Sequence, residues 1–297
     1  MTTRIIVLGT LRSGTSLTAE LARLWGAYAG PKKDLWASDP ADQRGYGYME
    51  YIPLQELNDE ILDNNERVPL ADEILAGKAV DPKYRARGRE LIQHMDKECQ
   101  QASAPAWVWK DARLPMTLPF WADLWGDAIY IITVRHPAET ILSAAKTESF
   151  AQENIPFSAG LSYWQYCMLK ILEHTQNSQR KIFIAYDQLT NSPQLECARL
   201  CHFLDEQCGL APETASERIA AMTGQVARGQ RHYHYQKSLA DMEQATREQR
   251  ALYNFLRVKT IYPQEAFVKE DFALYPGWRE YLQSMDMLLA LSNTSEG

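Results

Sequence analysis

The apolar run Ile5-Ile6-Val7-Leu8 ends at Gly9, Gly14 follows five positions on, and Thr15 and Ser16 open a helical pattern. A buried strand that turns through glycines into a helix leaves few architectures open. The strand needs partners, and the helix must pack back over the sheet. Successive backbone N–H groups in such a turn, with the helix N-terminus behind them, favour an anion. Arg12, Thr15 and Ser16 add side-chain donors beside them, within the loop Arg12-Ser13-Gly14-Thr15-Ser16.

The spacing of this loop has the outline of G-x-x-x-x-G-K-[ST], but Thr15 stands at the lysine position and the cation has moved forward to Arg12. A loop that cradles phosphate without that lysine points away from nucleoside-triphosphate hydrolysis and towards another phosphorylated donor.

Further along, residues 15 to 25 predict a helix with Leu17, Leu21, Leu24 and Trp25 on one face, and 52 to 62 a second with Leu54, Leu57, Ile61 and Leu62 together. A charged helix is expected over 82 to 102, and short strands at 106–109, 128–134 and 181–186. Pro137 suits the first turn of a helix running through Ala145. Helices are expected over 158–177 and 194–205, a turn over Asp187 to Pro193, and an irregular break from Gly224 to Tyr235. Strands alternating with helices predict a parallel sheet covered on both faces. The 297 residues suffice for one large domain, expected over 1–291, with helical inserts near 26–105 and 206–291 and a loose tail at 292–297.

The net charge of −7 argues against a general nucleic-acid binder but not against a small anion, which needs only local cations. No window approaches the roughly 20 apolar residues of a membrane span. Arg4 precedes only a short apolar run before the glycine loop, so no signal peptide is expected. Cys197, Cys201 and Cys208 lack the spacing of a zinc site and are expected to be buried thiols. A reducing, cytoplasmic setting fits them.

Two further stations accompany the loop. Arg135 ends the strand at 128–134, where α/β proteins place ligand groups, and Ser143 lies about two turns along the next helix at ~1.5 Å per residue. Trp109-Lys110-Asp111-Ala112-Arg113 puts a lysine at another strand end. Each alone is consistent with ordinary capping or surface ion pairing.

Together the stations resemble the sulfotransferase family, which uses 3′-phosphoadenosine 5′-phosphosulfate. Gly9 to Ser16 is similar to the family's phosphosulfate loop, in the bacterial small-molecule branch that reads R-S-G-T-[ST]. Arg135, Pro137 and Ser143 resemble its R-x-P…S motif for the 3′-phosphate, and Lys110-Asp111-Ala112-Arg113 resembles K-D-P-R with alanine for proline. Tyr186-Asp187-Gln188-Leu189 is similar to Y-E-D-L, whose tyrosine lies near the donor nucleotide. Gly47-Tyr48-Met49-Glu50 with Leu57-Asn58-Asp59 resembles G-[FYW]-x-E…L-[HN]-D.

The resemblance implies a P-loop NTPase-like three-layer α/β fold, with a central parallel sheet, flanking helices and helical cap insertions. It implies a transferase for a small-molecule acceptor, a metabolite or natural product, with adenosine 3′,5′-bisphosphate as product and no metal. Arg12, Ser13, Gly14, Thr15 and Ser16 would hold the 5′ end of the donor, and Arg135 and Ser143 the 3′-phosphate. Tyr186 would lie by the nucleotide. Lys110, with Arg12, would stabilise the departing oxygen, and Glu50 would serve as base for a hydroxyl acceptor. Burial beside Tyr46, Tyr48 and Tyr51 would tune a carboxylate for that work, although Glu50 also suits a helix cap.

The basic and aromatic stretch from Arg228 through Arg231, His232 and His234 is either a cover over donor and acceptor or a solvated loop. His232 and His234 are the alternative bases. Trp36, Tyr46, Tyr48 and Tyr51 are candidates to line the acceptor pocket, with core packing as the competing role. Two other classes stay open: a P-loop small-molecule kinase and a non-catalytic nucleotide-binding module. The sequence leaves the acceptor and the oligomeric state open.

Overall fold

The structure is a computed structural model, and it describes residues 2–36, 47–63, 82–145, 156–228, 239 and 242–261. Its centre is a four-stranded parallel sheet of β1 (Thr3–Leu8), β2 (Ala106–Lys110), β3 (Ile129–Val134) and β4 (Lys181–Ala185), in the order β2-β1-β3-β4. The helices in chain order are α1 (Thr15–Trp25), α2 (Ile52–Asp63), α3 (Pro82–Gln101), α4 (Leu114–Trp125), α5 (Pro137–Ala144), α6 (Phe157–Thr175), α7 (Tyr186–Asn191), α8 (Pro193–Cys208), α9 (Ala215–Arg228) and α10 (Arg247–Ile261).

The strands are buried on both faces, as a parallel sheet between helical layers requires. Their period-two alternation divides the core. Ile6, Leu8, Trp107, Trp109, Tyr130, Ile132 and Phe183 face the layer built from α2, α3, α4, α6 and α10. Ile5, Val7, Val108, Ile129, Ile131, Ile182 and Ile184 face α1, α8 and α9. The first layer is rich in indoles: the Trp109 and Trp121 rings meet edge-on at 4.8 Å, and Trp121 stacks on Trp125 at 6.0 Å. Deleting one such ring costs about 3–5 kcal/mol. On the other side, Asp205 is buried but partnered, accepting from Trp25 Nε1 at 2.7 Å and pairing with Arg218 at 2.9 Å.

Three local expectations are corrected. The segment after β4 is a helix, α7, rather than a turn, and α9 runs unbroken through Gly224 to Arg228. The helix α4 was not anticipated. Pro115 suits its first turn, but Pro119 lies inside it and local propensity speaks against it there; its apolar face nevertheless packs under the sheet. The expected cap beyond residue 261 and the 292–297 tail lie outside the described residues.

The register brings the chemistry to one edge. Val7 pairs with Lys110, Leu8 with Ile132, and Val134 with Ala185. The glycine loop, Lys110, Arg135 and Tyr186 therefore all emerge at the carboxyl ends of adjacent strands, where open α/β sheets place ligands.

Candidate active site

The loop after β1 is held by its own hydroxyl groups. Ser13 Oγ donates to the Thr10 carbonyl at 2.6 Å and lies 2.8 Å from Thr133 Oγ1 on β3. The Ser13 N–H donates to the same carbonyl at 3.1 Å, so Ser13 shapes the loop from within. Gly9 is required by proximity: a Cβ there would stand 2.0 Å from Thr133 Oγ1. Arg12 takes a left-handed φ of 64°, a conformation that costs a non-glycine residue free energy and persists only when its surroundings enforce it. They do so here. Arg12 Nε donates to Ser143 Oγ at 3.1 Å, and its carbonyl accepts from Arg135 Nη1 at 2.9 Å.

Gly14, at φ 101°, caps α1 without a side chain, and the Thr18 N–H makes the first intrahelical bond back to its carbonyl. The N–H groups of the first turn, at Thr15 and Ser16, have no acceptor within the helix, and they carry its positive dipole end. The Tyr186 ring lies against Gly14, within 2.3 Å of where a Cβ would stand. The same ring lies under the Arg135 guanidinium, 4.4 Å from its centroid. Arg135 Nε is held by buried Glu139 at 3.0 Å, one turn along α5. Thus Arg12, Arg135, Ser143, Gly14 and Tyr186, from four separate elements, form one cluster around a helix N-terminus. Its donors suit an anion.

On the other side of β1, Lys110 Nζ donates to Glu50 Oε1 in an ion pair that is 4% exposed on the lysine and 10% on the glutamate. Glu50 reaches it from a stretch in which Gly47 (φ 66°) and Met49 (φ 57°) are both left-handed. The Glu50 carbonyl accepts from the Trp36 N–H at 2.9 Å, and Leu35 bridges to Tyr51. Buried Asp111 follows Lys110 and accepts from Asn58 Nδ2 at 2.9 Å and from the Arg113 N–H at 2.8 Å. Arg113 also pairs with Asp59. Burial works against the charge on Arg113, but Asp111, Asp59 and Glu50 together raise its pKa.

Trp36 and Tyr48 meet edge-on at 6.5 Å beside this pair, and Trp36 is the more exposed. Tyr51 is placed otherwise: it is 2% exposed and packs into the core against Gly30. Burial pushes its hydroxyl pKa upward. His136 caps α5 by accepting from the Ala138 N–H at 3.2 Å, a turn role. Tyr46, Arg231, His232 and His234 lie outside the described residues, as does the side chain of Arg228. The five cysteines are unpaired, and burial raises Cys197, Cys201 and Cys208 to about 11. Among the described residues no three His, Cys, Asp or Glu side chains gather to hold a metal.

Thr133, Glu139, Asn58 and Asp59 carried no assigned role in the sequence reading. Thr133 and Glu139 gave no signal there. Asn58 and Asp59 did, through the L-[HN]-D pattern.

Residues 4–209 match the sequence model described as Sulfotransferase family. Among solved structures the chain is similar to sulfotransferase STF9 from Mycobacterium avium, at 16% identity and a TM-score of 0.53, over 95% of this chain and 76% of that one. It also matches a sulfotransferase domain from the curacin biosynthetic pathway, at 19% identity and a TM-score of 0.43, over 99% of this chain and 98% of that one. A third match is the sulfotransferase domain from the Synechococcus PCC 7002 olefin synthase, at 17% identity and a TM-score of 0.45, over 98% and 94%. No curated protein sequence matches it.

Proposed function

The chain belongs to the sulfotransferase family, and from that premise we propose that it transfers a sulfuryl group from 3′-phosphoadenosine 5′-phosphosulfate to a hydroxyl or amine of a small metabolite or natural product. The observation that carries this reading is the buried Glu50–Lys110 pair standing at the same sheet edge as the Arg12–Ser143–Arg135 cluster. One site offers anion donors, and the adjoining one offers a carboxylate base with a cation.

The donor brings a sulfuryl group bound to a phosphate that can leave. The first-turn N–H groups of α1 and Arg12 hold its 5′ end. Arg135 and Ser143 hold the 3′-phosphate, and Tyr186 packs beside the nucleotide. Glu50 accepts the proton of the acceptor hydroxyl as the new bond to sulfur forms in line with the breaking one. Lys110 balances the negative charge growing on the departing phosphate oxygen, a preorganised stabilisation that acts in the transition state. Neither a covalent enzyme intermediate nor a metal enters this scheme.

Trp36 and Tyr48 form an aromatic edge where an acceptor ring can rest. A cytoplasmic location completes the proposal and suits five unpaired cysteines. Among the described residues no helix is long and apolar enough to cross a membrane.

Thermal unfolding tests the reading. Adenosine 3′,5′-bisphosphate without magnesium should raise Tm, by about 2.7 kcal/mol of stabilisation at a hundredfold excess over Kd. Stabilisation by ATP with magnesium alone would instead indicate a kinase. A screen of acceptors with ³⁵S-labelled donor then identifies the substrate.

A further inference from the structure

We propose that Asn58 and Asp59 are positioning residues that set the geometry of the Glu50–Lys110 pair through Asp111 and Arg113. This rests on the roles given to Glu50 and Lys110 above. The two members of that pair come from segments with no covalent reason to meet. Glu50 stands two residues before α2, and Lys110 closes β2. Two adjacent residues of α2 reach two residues of the corner after β2: Asn58 donates to Asp111, and Asp59 pairs with Arg113. Asp111 is bonded in sequence to Lys110, so these cross-links act one residue away from the cation.

The inner cross-link is built without slack. Asn58 is fully buried, and its Oδ1 accepts from Trp121 Nε1 at 2.6 Å. An indole N–H only donates, so it fixes the amide's orientation and turns Nδ2 towards Asp111. Asp111 Oδ2 takes that bond, while Oδ1 takes the Arg113 N–H at 2.8 Å and Arg113 Nη1 at 3.3 Å. The Asn58 amide and both Asp111 oxygens are therefore engaged, which defines one arrangement.

The outer cross-link is more exposed, with Asp59 at 38% and Arg113 at 28%. Met49, next to Glu50, takes a left-handed φ of 57°, a conformation that a non-glycine residue keeps only where its surroundings enforce it.

The decisive experiment exchanges the inner pair. Asn58→Asp alone sets two buried carboxylates against each other. Combined with Asp111→Asn, every bond is regained: the new carboxylate accepts from Trp121 and from the new amide, whose oxygen still accepts from Arg113. Turnover of ³⁵S-labelled donor with an acceptor mixture, or with water, is measured beside calorimetric affinity for adenosine 3′,5′-bisphosphate and Tm.

Asn58→Asp should lose about 10- to 100-fold in turnover, the scale of a small misplacement of reacting groups, with bisphosphate affinity within about twofold of wild type. The exchange should restore turnover to within about threefold. Should Asn58→Asp fail to fold, Asp59→Asn, at the more exposed link, should lose about three- to tenfold in turnover at unchanged bisphosphate affinity. Wild-type turnover in both single variants overturns the proposal, and so does a parallel loss of bisphosphate affinity or a folded exchange variant that stays inactive. Glu50→Gln and Lys110→Met separate the two levels. If they retain turnover, or wild type has none, the functional reading itself fails. If they lose it while Asn58→Asp and Asp59→Asn do not, only the positioning role fails.

Discussion

Glu50 and Lys110, 60 positions apart in the chain, meet as a buried ion pair at the carboxyl edge of the sheet. Each is the other's neutralising partner in a place where a lone charge would be costly, so the two substitutions should not be independent. Lys110→Ala should lower stability by about 3–5 kcal/mol and reduce turnover far more than bisphosphate affinity. Glu50→Gln combined with Lys110→Met should regain much of that stability while staying inactive. Urea denaturation and steady-state kinetics on Glu50→Gln, Lys110→Met and their combination, beside Lys110→Ala, check this, and full additivity in stability within that cycle would show that the pair is not coupled.

The proposed donor cradle gives a second prediction. Gly14→Ala places a methyl group 2.3 Å from the Tyr186 ring and forces a left-handed φ on a residue that resists it. Affinity for the bisphosphate should fall by about tenfold, from displacement of Tyr186, and stability by about 1–2 kcal/mol. Calorimetric titration decides it; unchanged affinity would remove Tyr186 from the nucleotide site.

Arg135 offers a third. It spans the Arg12 carbonyl, Glu139 and the Tyr186 face at once, a geometry that a planar guanidinium can satisfy and an ammonium cannot. Arg135→Lys should therefore weaken bisphosphate binding more than Ser143→Ala, which removes one hydroxyl and one acceptor for Arg12. The first should cost about tenfold or more and the second about threefold. Equal losses in both variants would mean that charge alone matters there.

His174 yields a pH prediction away from the site. It ends α6, where burial, and next to it the charge of Lys170, lowers its pKa to about 4. An unfolded chain takes up that proton near pH 6.5, so between about 6.5 and 4 the unfolded state holds more protons than the folded one. Stability present above pH 6.5 is then lost as pH falls through that window, by ~3 kcal/mol in the limit. His174→Asn should flatten this part of the stability–pH curve, and an unchanged slope would assign the acid sensitivity to other groups.

Much of the fold was legible because its signals are local. A strand buried on both faces needs a continuous apolar run, as at 5–8 and 129–134, and the glycine loop needs φ angles and close approaches that only certain residues tolerate. Arg12, Lys110, Arg135 and Tyr186 could be placed at strand ends for the same reason. The helix α4 was not legible, because an internal proline and continuous apolarity mask its period, and only the sheet above it rewards that conformation. Tyr51 shared its local signature with Trp36 and Tyr48, yet packing sent it into the core.

The sequence by itself determined the parallel sheet, the glycine turn after β1 and the residue types able to carry transfer chemistry, since each depends on neighbours within a few positions. The tertiary structure alone decided that Arg12 is held in its left-handed turn by Ser143 and Arg135, that Glu50 faces Lys110, and that Asn58 and Asp59 are tied to the corner after β2. These contacts join residues 53 to 131 positions apart. Ion pairs and hydrogen bonds at that separation form only once the hydrophobic layers have fixed where each strand end lies, and no local pattern records which partner each polar group will find.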